Sequence, residues 1–236
     1  MNANISEENI IADKTVRIQE NIKEKIDVKK VVYKFIKRLI DILGGLVGTV
    51  LLVPITLCVF IARIILKEND GPLFYEQLRI GKNGKVFKMY KYRSMVIGAD
   101  EKLFKYLEEN EEARKEYKEY KKLKDDPRIT KVGHFIRKTS LDEFPQFINV
   151  LKGDMSLVGP RPYLPREKDD MGEYYTYIIQ SRPGITGYWQ IAGRSDVTFD
   201  DRLKMDYDYN QNKSLKVDFK LLFKTILNVV KKEGAM

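Results

Sequence analysis

Cysteine and histidine are nearly absent from this sequence. With one cysteine, Cys58, no intramolecular disulfide can form, and because the residue lies in an apolar stretch its thiol reads as a small hydrophobe in a reducing compartment. His134 is the single histidine, so a Ser-His-Asp triad or a multi-histidine metal site would have to be built around one ring. That leaves carboxylate and hard-cation chemistry. Met1 to Asp13 is polar and has no basic stretch followed by an apolar core, so no secretory signal is expected there. There is no internal repeat and no low-complexity tract.

Charge, by contrast, is plentiful. Lys and Arg outnumber Asp and Glu by 43 to 34, and the net charge of +9 predicts attraction to an anion: nucleic acid, anionic lipid or nucleotide phosphate. At 236 residues the chain has room for one compact catalytic unit and a modest appendage.

One long uncharged run is present, from Ile42 to Ala62, ILGGLVGTVLLVPITLCVFIA, close to the roughly 20 apolar residues that cross a bilayer. Pro54 removes an amide hydrogen bond near its middle. Lys29, Lys30, Lys34, Lys37 and Arg38 precede the run and Arg63 and Lys67 follow it, so positive charge marks both ends as cytoplasmic. A straight span satisfies one end only. A re-entrant helix-break-helix, with arms reaching about 18 Å into a core about 30 Å thick, satisfies both and is the expectation here. A proline-kinked span is the alternative.

Three regions are therefore expected: a polar N-terminal arm over 1–30, a re-entrant membrane hairpin over 31–68, and a cytosolic domain over 69–236. Within the last, PLFYEQLRI and KVFKMYKYRSM flank Gly81-Lys82-Asn83-Gly84, which predicts a β-hairpin. Asp100 to Lys124 predicts one solvated helix with a narrow stripe of Phe104, Leu107 and Tyr117. In Leu215 to Lys232, Lys216, Lys220 and Lys224 recur four apart, while Phe219, Leu222, Phe223, Ile226 and Val230 gather on another face. Such a helix can lie in the headgroup layer or pack on the domain core.

Chemistry concentrates between Asp125 and Pro165. Ser140-Leu141-Asp142-Glu143 fits a capping box, in which Ser140 and Glu143 satisfy each other's amides and no function is required. Pro145 argues for a later helix start, because with Ser140 as cap it would fall beyond the first turn. If the helix begins near Asp142, its positive end favours an ionised carboxylate, a candidate nucleophile, and of the two acids one can attack while the other holds a cation. Around these acids lie Arg137, the Gly159-Pro160-Arg161-Pro162 turn, Arg182 to Gly187, and Gly193-Arg194-Ser195. Guanidiniums in such turns suit phosphate oxygens. Trp189 could stack on a base or belong to the core.

Taken together, KRLIDILGGLVGTVLLVP, FKMYKYRSM, DDPRITKVGHFIRKTSLDEFPQFINVLKGDMSLVGPRP, RPGITGYWQIAGRSD and KVDFKLLFKTILNVVKKEGAM resemble the bacterial sugar transferases called monotopic phosphoglycosyl transferases. The match runs from about Tyr33 to the C-terminus and is closest to the branch that primes exopolysaccharide or capsule synthesis. The fold it implies is α+β but mostly α: a monotopic membrane protein with a re-entrant anchor, a β-hairpin and several amphipathic interfacial helices. The resemblance also implies the reaction. Asp142 matches the aspartate that attacks the β-phosphate of a UDP-sugar, a hexose being favoured, and expels UMP. Undecaprenyl phosphate then takes the phosphosugar. Glu143 matches the partner acid that, with Asp142, is expected to bind Mg²⁺. Arg161 and Arg194 match phosphate-binding arginines, with Lys91, Arg137 and Asp206 as further candidates. Many members carry Ser-Pro at the membrane break where this chain has Val53-Pro54. The implied place is the cytosolic face of the bacterial inner membrane, with lipids as partners, no nucleic acid, and spare apolar faces that leave room for a homodimer. A non-catalytic membrane-surface module with a basic lipid-binding face is the other reading that composition allows.

Overall fold

The computed structural model describes the backbone of residues 3–68, 71–192 and 197–231, with side chains between 28 and 228 in those ranges. Two compact units are present, Met1–Ile40 and Asp41–Met236. Helix α1 (Ala3–Ile65) supplies the described part of the first and opens the second. Its Val28–Ile65 portion is the one helix, among the described residues, long and apolar enough to cross a membrane.

Helical backbone continues through Pro54. The break expected there is thus not an interruption, because the proline φ suits a helix and only one amide hydrogen is lost. The local polar groups respond: the Thr56 hydroxyl donates to the Leu52 carbonyl at 2.6 Å, two residues to either side of the proline. Such back-bonding bends a helix without ending it.

Within the second unit, Asp41, Gly45, Gly48, Leu52, Val59 and Arg63 are buried, at spacings of three, four and seven that mark one helical face. The opposite face exposes Val47, Val50, Val53, Leu57 and Ile61. Gly48 is forced by close approach, since a Cβ there would lie 2.2 Å from the Phe147 ring.

After α1 comes the expected hairpin, β1 (Phe74–Ile80) against antiparallel β2 (Val86–Tyr92), with Tyr75 opposite Lys91 and Phe74 opposite Tyr92. Asn83 and Gly84 take the positive φ values, 58° and 77°, that the turn requires. The single charged helix expected over 100–124 is two helices, α2 (Ala99–Glu109) and α3 (Glu111–Tyr120). Asn110 separates them because its side chain accepts from the Ala113 amide and so starts a new helix. Their shared core is Leu103, Ala113 and Leu123, with Leu107 and Tyr117 against it, whereas Phe104 is exposed.

Helix α4 (Lys131–Lys138) follows, capped by Thr130 on the Gly133 amide. A turn of 3-10 helix over Leu141–Glu143 leads to α5 (Gln146–Lys152), and then to β3 (Ser156–Val158). Next come the short α6 (Tyr174–Ile178), β4 (Gly184–Thr186) and α7 (Tyr188–Ile191). Strands β3 and β4 pair in parallel. The chain closes with α8 (Phe199–Asn212) and α9 (Leu215–Lys231). In α9 Leu221 packs on the core, buried with Val158 and Tyr209, while Phe219, Phe223 and Ile226 are exposed. The architecture is mostly helical with two small sheets.

Candidate active site

Asp142 and Glu143 sit on the 3-10 turn between α4 and α5, and the capping box is not formed. Ser140 takes a left-handed φ of 57° and makes no side-chain cap; the Glu143 amide donates to the Ser140 carbonyl, at 3.4 Å, instead of to its hydroxyl. Helix α5 starts later, at Gln146, behind Pro145. The N-cap of α5 is Pro145 with no side-chain cap, so neither carboxylate caps that helix.

They meet the Lys91 ammonium instead, at 3.0 Å from Glu143 Oε1 and 3.8 Å from Asp142 Oδ2. Strand β2 holds that lysine in place through Asn149 of α5, which is fully buried. The Asn149 side chain donates to the Lys88 carbonyl at 2.7 Å and accepts from the Tyr90 amide at 3.0 Å, so α5 is stitched to the strand just before Lys91. Burial pushes the Asp142 carboxyl up to about 6; the Lys91 ammonium pulls it down, Glu143 adds to the rise and Arg137 opposes it. The expectation of a helix end stabilising its charge gives way to burial, because α5 begins four residues further on. Arg137, in the last turn of α4, is thus among the charges that act on Asp142.

A second polar cluster surrounds Arg161. The close approach of Gly159 to Gly184 ties its loop to β4: a Cβ on Gly184 would lie 2.1 Å from the Gly159 nitrogen. Asp206 of α8 is fully buried, and its Oδ2 accepts from the Arg161 amide at 2.9 Å and the Tyr163 hydroxyl at 2.8 Å. Burial raises the Asp206 carboxyl to about 7 against those two hydrogen bonds. The Trp189 ring is taken up by guanidiniums, with Arg161 at 5.2 Å and Arg202 at 5.4 Å from its centroid, a cation–π arrangement rather than a base-stacking platform. Asp206 therefore acts on Arg161 and stands among the arginines, not beside Asp142. Arg194 lies outside the described residues.

Sequence reasoning missed the residue between the clusters. Arg79 of β1 is buried, donates to the Pro162 carbonyl at 2.8 Å, and lies within electrostatic range of both Arg161 and Glu143. Burial lowers it to about 9, with Arg161 adding to the fall, so it stays charged at neutral pH. The one signal available was strand alternation, which turns Leu78 outward and Arg79 inward against their hydropathy.

As to metal, no group of three or more His, Cys, Asp and Glu side chains is assembled among the described residues. Asp142 and Glu143 on one turn still fit Mg²⁺, which is held by one or two carboxylates and takes its other ligands from water and substrate phosphates.

The model of the family described as bacterial sugar transferase matches residues 32–232. The undecaprenyl-phosphate galactose phosphotransferase of Salmonella typhimurium is 42% identical over 93% of this chain and 44% of its own length. The UDP-galactose-lipid carrier transferase of Erwinia amylovora is 44% identical over 86% of this chain and 42% of its own. The exopolysaccharide production protein ExoY of Rhizobium meliloti is 41% identical over 84% of this chain and 87% of its own. The chain thus spans less than half of the first two relatives and most of the third. Matched along most of its length, this chain belongs to the bacterial sugar transferase family.

Proposed function

We infer that this protein transfers a sugar 1-phosphate from a UDP-sugar to undecaprenyl phosphate, the first membrane step in building an exopolysaccharide, a capsule or another glycoconjugate. The observation that carries the reading is the Asp142 carboxylate, buried on a turn beside Glu143 and matched by Lys91 and Arg137. Relatives named for galactose phosphate transfer support a UDP-hexose as donor.

The chemistry follows from charge. A carboxylate approaching a diphosphate meets repulsion, so the phosphoryl oxygens must first be neutralised. Arg161, with Arg79 behind it, supplies fixed positive charge, and Glu143 with Asp142 would hold Mg²⁺, whose role when bound is to neutralise diphosphate oxygens. Asp142 Oδ attacks the β-phosphorus, the bond to the bridging oxygen breaks, and UMP leaves. The sugar phosphate is then an acyl phosphate on Asp142. An oxygen of undecaprenyl phosphate attacks that phosphorus, the carboxylate is regenerated, and a polyprenyl diphosphate sugar departs.

The membrane placement has its own support. Asp41, at the start of the apolar run, accepts from the Ser156 hydroxyl and the Leu157 amide, each at 2.9 Å. Arg63, just past its end, donates to the carbonyls of Glu68, Gly71 and Pro72. Both polar ends are bound to the second unit, which supports an anchor whose two ends face one side, the cytosolic face of the inner membrane, over a span whose ends face opposite sides.

Asp142→Asn is the test. UMP release from UDP-galactose should fall on the order of a thousandfold or more, with membrane association retained. Unchanged turnover in that variant overturns the covalent route. The rival reading, a lipid-binding module without chemistry, predicts no UMP from the parent protein either.

A further inference from the structure

At the end of β2, neighbouring residues reach opposite ways, as successive strand side chains must. Lys91 points to Glu143 and Asp142. Tyr92 points to α1, where its hydroxyl lies 2.6 Å from the Thr56 Oγ1, and Thr56 in turn donates to the Leu52 carbonyl. The Tyr92 ring is almost wholly buried, stacks on Phe74 at 5.4 Å, and shares one apolar cluster with Leu52, Val59, Val132 and Ile136. Packed against the same cluster are Leu141 and Phe144, the residues on either side of Asp142 and Glu143. The strand end that bears the lysine and the turn that bears the acids therefore rest on one wall, and part of that wall is the apolar helix beside Pro54.

We propose that Tyr92 is a positioning residue: its hydrogen bond to Thr56 fixes the distance between Lys91 and the Asp142–Glu143 turn, and so makes the site's geometry depend on the apolar segment of α1. The hydroxyl pair at 2.6 Å, backed by a longer contact of 3.5 Å from the Tyr92 hydroxyl to the Leu52 carbonyl, gives that cluster a polar fastening, where a buried hydroxyl deprived of its partner is costly and the apolar contacts themselves set no direction. A shift of the helix at Thr56 is passed to the Tyr92 backbone and thence to the adjoining Lys91. Leu141 and Phe144 carry the same shift to the acids.

The proposal rests on the sugar-phosphate transfer reading only for its kinetic arm. Full-length protein in lipid nanodiscs is compared as parent, Tyr92→Phe, Thr56→Val and the double variant, each keeping the apolar volume. With UDP-galactose and undecaprenyl phosphate, kcat is expected to fall about fivefold in each single variant, with KM and Tm nearly unchanged. The double variant falls no further than Tyr92→Phe alone, because that variant already removes both the bond to Thr56 and the longer contact to the Leu52 carbonyl. Independently, hydrogen exchange in peptides holding Lys91 and Leu141–Phe144 should quicken in every variant, with α3 unaffected. Equal exchange in parent and Tyr92→Phe overturns the proposal, as do losses that multiply or a general quickening that tracks a lowered Tm. Should the parent release no UMP, the transfer reading is what fails, and the exchange data still decide the positioning role.

Discussion

Asp206 carries its functional weight through others. Its Oδ2 holds the Arg161 amide and the Tyr163 hydroxyl, while its Oδ1 is buried with no partner. The carboxyl is raised from 3.8 to about 7, with burial the leading cause, so the folded state keeps a proton that the unfolded chain has already released. Stability from this group is complete below the unfolded value and is lost as pH rises from about 4 through 7. Asp206→Asn has no such proton to lose. Thermal melts of parent and variant at pH 4 to 8 should therefore show the Tm difference moving in the variant's favour as pH rises, and a difference that stays flat would place the titration elsewhere. Little of this was legible in the sequence. Arg161 stood out in a glycine-bearing turn and Asp206 only through the family resemblance, but the bond between them joins positions 45 apart and no local pattern announces it. Asn149 and Arg79 were missed for the same reason, since each takes its meaning from a strand or loop distant in the chain. The Asp142–Glu143 pair was legible only as one of two readings. The spacing of Ser140 to Glu143 also suited a capping box, and the left-handed backbone at Ser140, with no side-chain cap, speaks against that box.

Elements with strong local chemistry were read correctly. The hairpin followed from a glycine-bearing turn between two β-prone runs, and its register places Tyr75 opposite Lys91. The α2–α3 region was misread because its charge pattern continues across Asn110, and only the side-chain cap reveals a new start. Packing of α1 on α5 is a case where the sequence held a signal whose partner could not be guessed. Gly44, Gly45 and Gly48 could have marked a membrane helix of any kind; in the fold they admit Leu157, Leu151 and Phe147 respectively. Gly48→Ala should lower stability by about 1–3 kcal/mol, because the new methyl meets an aromatic ring two residues after Pro145. Chemical denaturation in detergent would measure it. Phe147→Leu in the same background should restore part of the loss by making room, and a neutral Gly48→Ala would mean that the two helices are not in close apposition.

For the molecule as a whole, one body takes hold of both ends of its apolar run. Asp41 and Arg63 are buried ionisable groups at those ends, and each is hydrogen-bonded into the second unit. Exposed Val47, Val50, Val53 and Leu57 then need lipid, and Phe219, Phe223 and Ile226 of α9 add apolar surface bordered by lysines. The sequence conveyed the membrane attachment through length and flanking charge. It did not convey that the helix would continue through Pro54, where the Thr56 hydroxyl finds the Leu52 carbonyl.

The lone thiol of the chain offers a native depth gauge. Cys58 is exposed on the helix, four residues past Pro54 and four before the run ends at Ala62. A nitroxide attached there, in protein reconstituted into vesicles, should collide often with dissolved oxygen and rarely with a water-soluble nickel chelate, as befits a site near the apex of a re-entrant bend. A straight crossing would leave it about 6 Å from the far interface, where the chelate would reach it freely.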